Sequence, residues 1–282
     1  DWSSDVCSSD LSQASNRIGV PVISLAPGSF LAKADDLVFR PRPESGGRTL
    51  GAEAKRRGMT AYSAIVSGFE SGYVQEFIRD FEAGSGTPPR RTMIFSGDLN
   101  KQIDDFGRIA SGMDAMLLVL PDWLAAIALR ELRLRTPGLA VFASNRAVSH
   151  RTPLLAGDPG EGLVTAAVLP REWFSGGSGF PGFVADTYGE HIPPITLSIG
   201  YDAVAMLDAA LDRAGTTDPG AVARALSEME RIDSSAGPAA LDAGGDLSLP
   251  QGTFSLTKEG WIPVTRPAAS LTVSGVPDEA AP

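Results

Sequence analysis

MLLVLPDWLAAIALRELRLRTPGLAVFA, residues 116–143, holds one full period of the pattern that decides the fold. Met116 to Leu120 is an unbroken apolar run of strand length, the mark of a strand buried on both faces of a parallel sheet. Trp123 to Leu134 then has helical composition and length. Its Ile127, Leu129, Leu132 and Leu134 are expected to form the core stripe, and Pro137-Gly138 closes it. Leu139 to Ala143 is a strand again. Strand, helix and strand in this order predict a right-handed βαβ unit.

The period repeats on the N-terminal side. Leu50 to Arg57 is helical in composition and stops at Gly58, and Tyr62 to Val66 is a strand. Tyr73 to Phe81 carries apolar residues at 73, 74, 77, 78 and 81, a helical stripe. Residues 84–89 (GSGTPP) read as a loop, Thr92 to Phe95 as a strand, and Ile103, Phe106, Ile109 and Ala110 as the next helix. Earlier still, Pro21 to Ser24 and Leu37 to Phe39 are short strands. Arg40-Pro41-Arg42-Pro43 follows, and its alternate prolines force extended chain.

On the C-terminal side, Leu163 to Leu169 is strand-like and residues 176–182 are rich in glycine. Helices are expected at Tyr201 to Ala214 and Pro219 to Met229, with Asp218 as N-cap and Pro219 at the first helical position. Leu241 to Leu249, turning at Asp242 to Asp246, then Thr253 to Leu256 and Trp261 to Val264, are short strands joined by turns. Pro267 to Pro282 is a polar, small-residue tail expected to be disordered. The class is therefore α/β, with doubly wound parallel sheets carrying helices on both faces.

The 282 residues, 43% hydrophobic and 21% charged, suit one large domain or two lobes with a substantial core. A formal net charge of -10 argues against nucleic acid as the partner. Lys55-Arg56-Arg57 and Arg90-Arg91 are the tight basic groups, and each reads as a helix end or a loop. Apolar runs fall short of the ~20 residues of a membrane helix. Cys7 is the sole cysteine, so neither an internal disulfide nor a cysteine-based metal site is expected.

Chemistry-bearing patterns are sparse. The two histidines are His150 and His191, and the adjacency of Ser149 and His150 does not by itself make a nucleophile and base. Neither G-x-S-x-G nor H-E-x-x-H occurs. Residues 177–182 (GSGFPG) fit G-x-G-x-x-G formally, but Trp173-Phe174-Ser175-Gly176 precedes them and Pro181 interrupts them. A loop is the better reading than a dinucleotide site. Asp242 to Asp246 reads as a hairpin turn and not as a calcium loop. No enzymatic activity and no cofactor are expected. Asp1 to Leu11 (DWSSDVCSSDL) resembles the in-frame translation of a common sequencing-adapter strand. The natural sequence is expected to begin near Ser12, with its N-terminal portion and any export signal lost.

A set of short motifs adds a family resemblance. They are Val20-Pro21-Val22-Ile23-Ser24, Phe39-Arg40, Asp158 with Glu161-Gly162, Phe183 with Tyr188, Tyr201-Asp202-Ala203-Val204, and Asp218-Pro219. Ser235-Ala236-Gly237-Pro238, Gly244-Gly245-Asp246 and Gly260-Trp261-Ile262-Pro263-Val264 continue the series. In order and spacing they resemble the branched-chain amino-acid-binding proteins, the type 1 periplasmic binding proteins of ABC importers, from about Arg17 to Val264. The resemblance implies two α/β lobes joined by crossover strands, with the ligand in the cleft between them. Residues 12–40 with 171–232 would form an incomplete N-terminal-type lobe, and 44–166 with 240–265 the C-terminal-type lobe. It further implies a monomer in the periplasm, or lipid-anchored on the outer face of the cytoplasmic membrane. That monomer would deliver a small polar ligand to an importer permease.

The resemblance also places ligand contacts. Ala26, Pro27, Gly28 and Ser29 form the loop whose amides and hydroxyl suit a carboxylate. The family's aromatic cleft residue falls near Phe69 to Ser71, where no tyrosine stands. Pro121, Asp122 and Trp123 form the next cleft segment. The family's acidic residue, which meets the ligand's ammonium, falls at Asn145 or Arg146. Arg146 is expected at the C-terminal end of strand Leu139 to Ala143, pointing toward the ligand and favouring an anionic or neutral polar solute. Two competing readings are a same-fold lipoprotein that activates a cell-wall synthase by protein contact, and an NAD-dependent enzyme, for which no phosphate loop is present.

Overall fold

The computed structural model describes residues 12–25, 36–41, 45–69, 71–147, 149, 151–168, 187, 194–249, 251–258 and 260–265. Outside them lie residues 1–11, the loop Ala26 to Ser29, residues 176–182, Phe183, Tyr188, both histidines and the tail from Pro267. The elements are a helix α1 (12–18), β1 (Val22–Ile23), β2 (Val38–Phe39), α2 (Gly47–Arg56), β3 (Tyr62–Ser67), α3 (Ser71–Ser85), β4 (Thr92–Phe95), α4 (Leu99–Ala110) and β5 (Ala115–Val119). They continue as α5 (Asp122–Arg135), β6 (Ala140–Ala143), α6 (Arg151–Ala156), β7 (Val164–Ala167), α7 (Pro194–Ala214), α8 (Pro219–Ser227), β8 (Ile232–Ser234), β9 (Gly237–Leu241), β10 (Leu247–Ser248), β11 (Gly252–Thr257) and β12 (Gly260–Thr265).

A seven-stranded sheet in the order β12-β11-β7-β6-β5-β3-β4 organises the middle of the chain. Strands β4, β3, β5, β6 and β7 are parallel, and β11 and β12 add on antiparallel. Register aligns Ala64 with Leu117 and Leu117 with Phe142, and α2 and α3 cover that row through Leu50, Tyr73, Phe77 and Phe81. The alternate residues Ile65, Met116, Leu118 and Val141 face α4 and α5, meeting Phe106, Leu124, Leu129 and Leu132. Both faces are thus buried, which is why these strands read as unbroken apolar runs.

Two helices of the large sheet depart from the sequence reading. In α5 the inner face is Leu124, Ala125, Ala128, Leu129 and Leu132, while Leu134 is 68% exposed. Two residues beyond Leu132 is roughly 200° around the helix, off the buried face. In α3 the helix runs on through Gly84 and Ser85, which had read as the start of a loop. Gly84 is a packing residue here. A Cβ on it would lie 2.1 Å from the Arg48 carbonyl oxygen, and one on Gly51 would lie 2.2 Å from that of Phe81. The two helices touch backbone to backbone, and only glycine allows it.

The other elements share a separate cluster. Phe39, Val168, Met206, Ala210, Val222, Leu226, Ile232, Leu247 and Leu249 pack together around α7, α8 and the short strands. The chain passes from this cluster to the large sheet between Leu249 and Gly252. α7 starts at Pro194, ahead of the expected Tyr201. Asp218 caps α8 as expected, its carboxylate accepting from the Ala221 amide at 2.9 Å. The β9–β10 turn forms around Asp242, whose Oδ1 accepts from the amides of Gly244 at 2.8 Å and Asp246 at 3.0 Å.

One ion pair crosses this cluster. Fully buried Arg40 donates from Nε and Nη2 to the two carboxylate oxygens of Asp246, beside a parallel bridge between the same residues. Burial pushes the Asp246 carboxyl up, against the pull of the Arg40 guanidinium. Among the described residues no helix is long and apolar enough to cross a membrane.

Candidate functional site

The strand order locates the crevice. From β3 the chain moves outward to β4, then returns past β3 to β5 and continues the other way. The connections therefore leave β3 and β5 in opposite directions. In an open α/β sheet a ligand binds at the carboxyl ends of the strands, at such a switch point.

Three segments meet there. Phe69 lies just past β3, and Ser71 opens α3. Asp122 and Trp123 form the first turn of α5 after β5, with Pro121 as its N-cap. Asn145 and Arg146 lie in a 3-10 turn, Asn145–Ala147, after β6. Neighbouring strands sit ~4.8 Å apart, so side chains can span these ends. Ala26, Pro27, Gly28 and Ser29 fall outside the described residues.

Tyr73 joins the outer two segments. From the first turn of α3, its hydroxyl donates to Asn145 Oδ1 at 2.8 Å. The Arg146 guanidinium carbon stands 4.2 Å from the centre of the Tyr73 ring, a cation–π contact. Tyr73 is otherwise buried among the core residues under α3. Its ring therefore has a fixed position, and the cation stacked on it inherits that position.

Asp122 is held from below. Its Oδ2 accepts from the Ser149 hydroxyl at 2.7 Å and its Oδ1 from the Trp123 amide at 2.8 Å. Ser149 also accepts from the Arg151 amide at 3.1 Å, so it ties the starts of α5 and α6 together. This is a positioning role, and the serine is spent on it. Trp123 rests beside Gly97 in the loop after β4, where an added Cβ would lie 3.5 Å from ring atoms Cη2 and Cζ3. Its outer surface stays 43% exposed, and Phe69 is 65% exposed.

The structure thus brings Asn145 and Arg146 together through a residue that sequence reading had placed only in a core stripe. The signal for Tyr73 was present. A tyrosine in the first turn of a helix that follows a parallel strand sits at the carboxyl edge, where its hydroxyl can reach out while its ring is buried. Ser149 gave no comparable signal.

Neither a protein-family model nor a curated protein sequence matches the chain. Solved structures do. A leucine-binding protein from Thermotoga maritima superposes with a TM-score of 0.76 at 19% identity, covering 92% of this chain and 76% of its own. An ABC-transporter solute-binding protein from R. palustris in complex with benzoate gives 0.74 at 17%, covering 90% and 72%. The chain has the fold of the type 1 periplasmic binding proteins. A branched-chain amino-acid transporter protein from Thermus thermophilus with bound valine gives 0.74 at 16%, covering 93% and 76%. At these identities the likeness is one of fold, and it bears out the α/β class read from the alternation of strands and helices.

Proposed function

We propose that this chain is an extracytoplasmic, non-enzymatic solute-binding protein that holds a small organic solute at the carboxyl edge of its large sheet and presents it to the permease of an ABC importer. A fold hosts many functions, so the site must carry the reading. What carries it is the convergence of Tyr73, Asn145 and Arg146 at the switch point, with exposed aromatic rings beside them. Apolar walls with a few fixed polar groups are the composition of a small-molecule site. Among the described residues at this edge, the Ser149 hydroxyl donates to Asp122 and accepts from the Arg151 amide, a positioning role between two helix starts. The fold neighbours include a leucine-binding protein, a protein with bound valine and one in complex with benzoate, which supports a small organic solute.

The reading also takes the chain to be monomeric and to work in the periplasm or on a lipid anchor. The separate packing of the large sheet and of the α7–α8 cluster supports two lobes that close on the ligand. Thermal shift over a panel of amino acids, aromatic acids, sugars and polyamines tests it. A true ligand at ~100-fold its Kd should stabilise the chain by about 2.7 kcal/mol. A flat response across every class would end the reading.

A further inference from the structure

We infer that Gln102 guards the open edge of the large sheet: its side-chain amide takes the place of a neighbouring strand on β4 and keeps a second copy of this chain from adding there.

The strand comes first. β4 ends the sheet order and pairs with β3 on its inner side. Residues 92–96 (TMIFS) are uncharged, free of proline and rich in β-branched and aromatic side chains, with Ile94 exposed. An edge segment of that kind is a template for another strand. Its backbone shows where pairing would occur. The Ala64 amide donates to the Arg91 carbonyl at 2.9 Å, with Ala64 in register with Thr92. Odd-numbered residues of β4 therefore turn their backbone groups to β3, and Thr92, Ile94 and Ser96 turn theirs outward.

The clip comes second. From α4, Gln102 Nε2 donates to the Ile94 carbonyl at 2.7 Å, and Gln102 Oε1 accepts from the Ser96 amide at 3.1 Å. A residue of a parallel neighbour strand would donate to the same carbonyl and accept from the amide two residues on. The primary amide has a donor side and an acceptor side, and this edge uses both. The Ser96 hydroxyl also donates to Gln102 Oε1 at 3.1 Å. Farther along, α4 is fastened to the start of the same strand, where Arg91 Nη1 donates to the Arg108 carbonyl at 2.7 Å. The helix that carries Gln102 is thus held along the edge.

The excluded occupant comes third. A strand adding to β4 needs the Ile94 carbonyl and the Ser96 amide, and Gln102 occupies both. The opposite edge of the sheet is β12, where Pro263 has no amide hydrogen to give. With Gln102 gone, the self-complementary partner for β4 is β4 of a second copy. Two copies related by a twofold axis at Ile94 would exchange bonds between their Ile94 residues and between Thr92 and Ser96, which closes a dimer.

Sedimentation velocity over a concentration series, with hydrogen exchange on the same samples, tests the inference. Gln102→Ala and Gln102→Met should each form a species of twice the mass of the unaltered chain's as concentration rises. Adding Ile94→Lys, a charge on an exposed edge side chain, should abolish that species in both. In the unaltered chain the Ser96 amide should exchange roughly 2- to 10-fold more slowly than that of Thr92, after correction for intrinsic rates. The difference should vanish in Gln102→Met at concentrations where that variant has not yet associated. Melting curves of the variants identify any that misfold. Folded variants that associate no further than the unaltered chain would overturn the inference, as would association unmoved by Ile94→Lys. A Ser96 amide that exchanges as fast as that of Thr92 in the unaltered chain would overturn it without any variant having to fold.

Discussion

The seven-stranded sheet and the α7–α8 cluster are both rich in apolar residues, yet they bury them differently. In the sheet, helices cover both faces, and Met116, Leu117 and Leu118 in succession are fully enclosed. In α7, Met206 and Ala210 are enclosed, while Tyr201, Val204 and Leu207 are 42%, 68% and 44% exposed. Those three positions lie three apart, so they form one stripe along the helix. In the same cluster β1 and β2 are a parallel pair of two residues each, and two strands alone are marginal in water. The difference teaches that apolar content reports burial only when the partner layers are present on each side. It also predicts that the two regions differ in stability, with the α7–α8 cluster opening first.

The largest expected effect tests that directly. Asp246→Ala leaves the fully buried Arg40 without its carboxylate. Removing one partner of a buried ion pair costs about 3–5 kcal/mol. Hydrogen exchange should show amide protection falling in α8 and the β9–β10 hairpin, with β5 unchanged. Equal loss in β5 would mean that the two regions unfold as one unit, and the comparison would break. Arg40→Met with Asp246→Leu should recover most of the loss, because burying the pair is itself costly.

The next effect belongs to the sheet region. Tyr62 is buried at the start of β3 and donates to the Thr87 carbonyl at 2.9 Å. Desolvation pushes its phenol from 10.0 up to about 12. The folded pKa is raised, so the unfolded chain ionises first. Stability is intact below pH ~10 and falls as pH rises toward about 12, by about 2.7 kcal/mol for a two-unit shift. Tyr62→Phe should abolish this alkaline step and cost about 1 kcal/mol at neutral pH for the lost hydrogen bond. Urea midpoints across pH 8 to ~12 would show both, and an alkaline step that survives in Tyr62→Phe would assign it elsewhere.

A smaller effect separates contact glycines from open ones. Gly51→Ala forces α2 away from the Phe81 carbonyl and should cost about 1–3 kcal/mol despite the better helix propensity of alanine. In α4, a Cβ on Gly107 would meet only Arg135 Cδ at an ordinary 3.7 Å. Gly107→Ala should therefore be neutral or stabilise by up to about 1 kcal/mol. If both substitutions behave alike in thermal melts, the close approach of α2 and α3 is not what holds this face.

How much of this was legible follows the same division. The strands β3, β5 and β6 announced themselves because a parallel sheet covered on both faces demands continuous apolar runs. Gly84 misled because a glycine at a backbone contact and a glycine that ends a helix look alike in one dimension. The pair Arg40–Asp246 spans 206 residues, and nothing local marks either residue as buried. Asn145 and Arg146 were placed by resemblance. Tyr73 was not, because its position in a helical stripe already explained it, and a residue that serves core and site together gives only one periodic signal.

The smallest effect returns to the cluster with the thinner cover. α8 is nine residues long, too short to persist alone. Its inner residues Val222, Ala225 and Leu226 hold it to the cluster, and Asp218 satisfies the Ala221 amide at its start. Asp218→Ala should cost about 1 kcal/mol, while Asp218→Ser should cost much less, since serine caps nearly as well. In a region that opens separately, this loss should appear as faster exchange within residues 219–227 and leave the β3 and β5 amides untouched. In a region locked to the sheet, the same loss would appear as a uniform shift of the whole denaturation curve. The pattern of the loss, more than its size, therefore decides whether the two regions are independent.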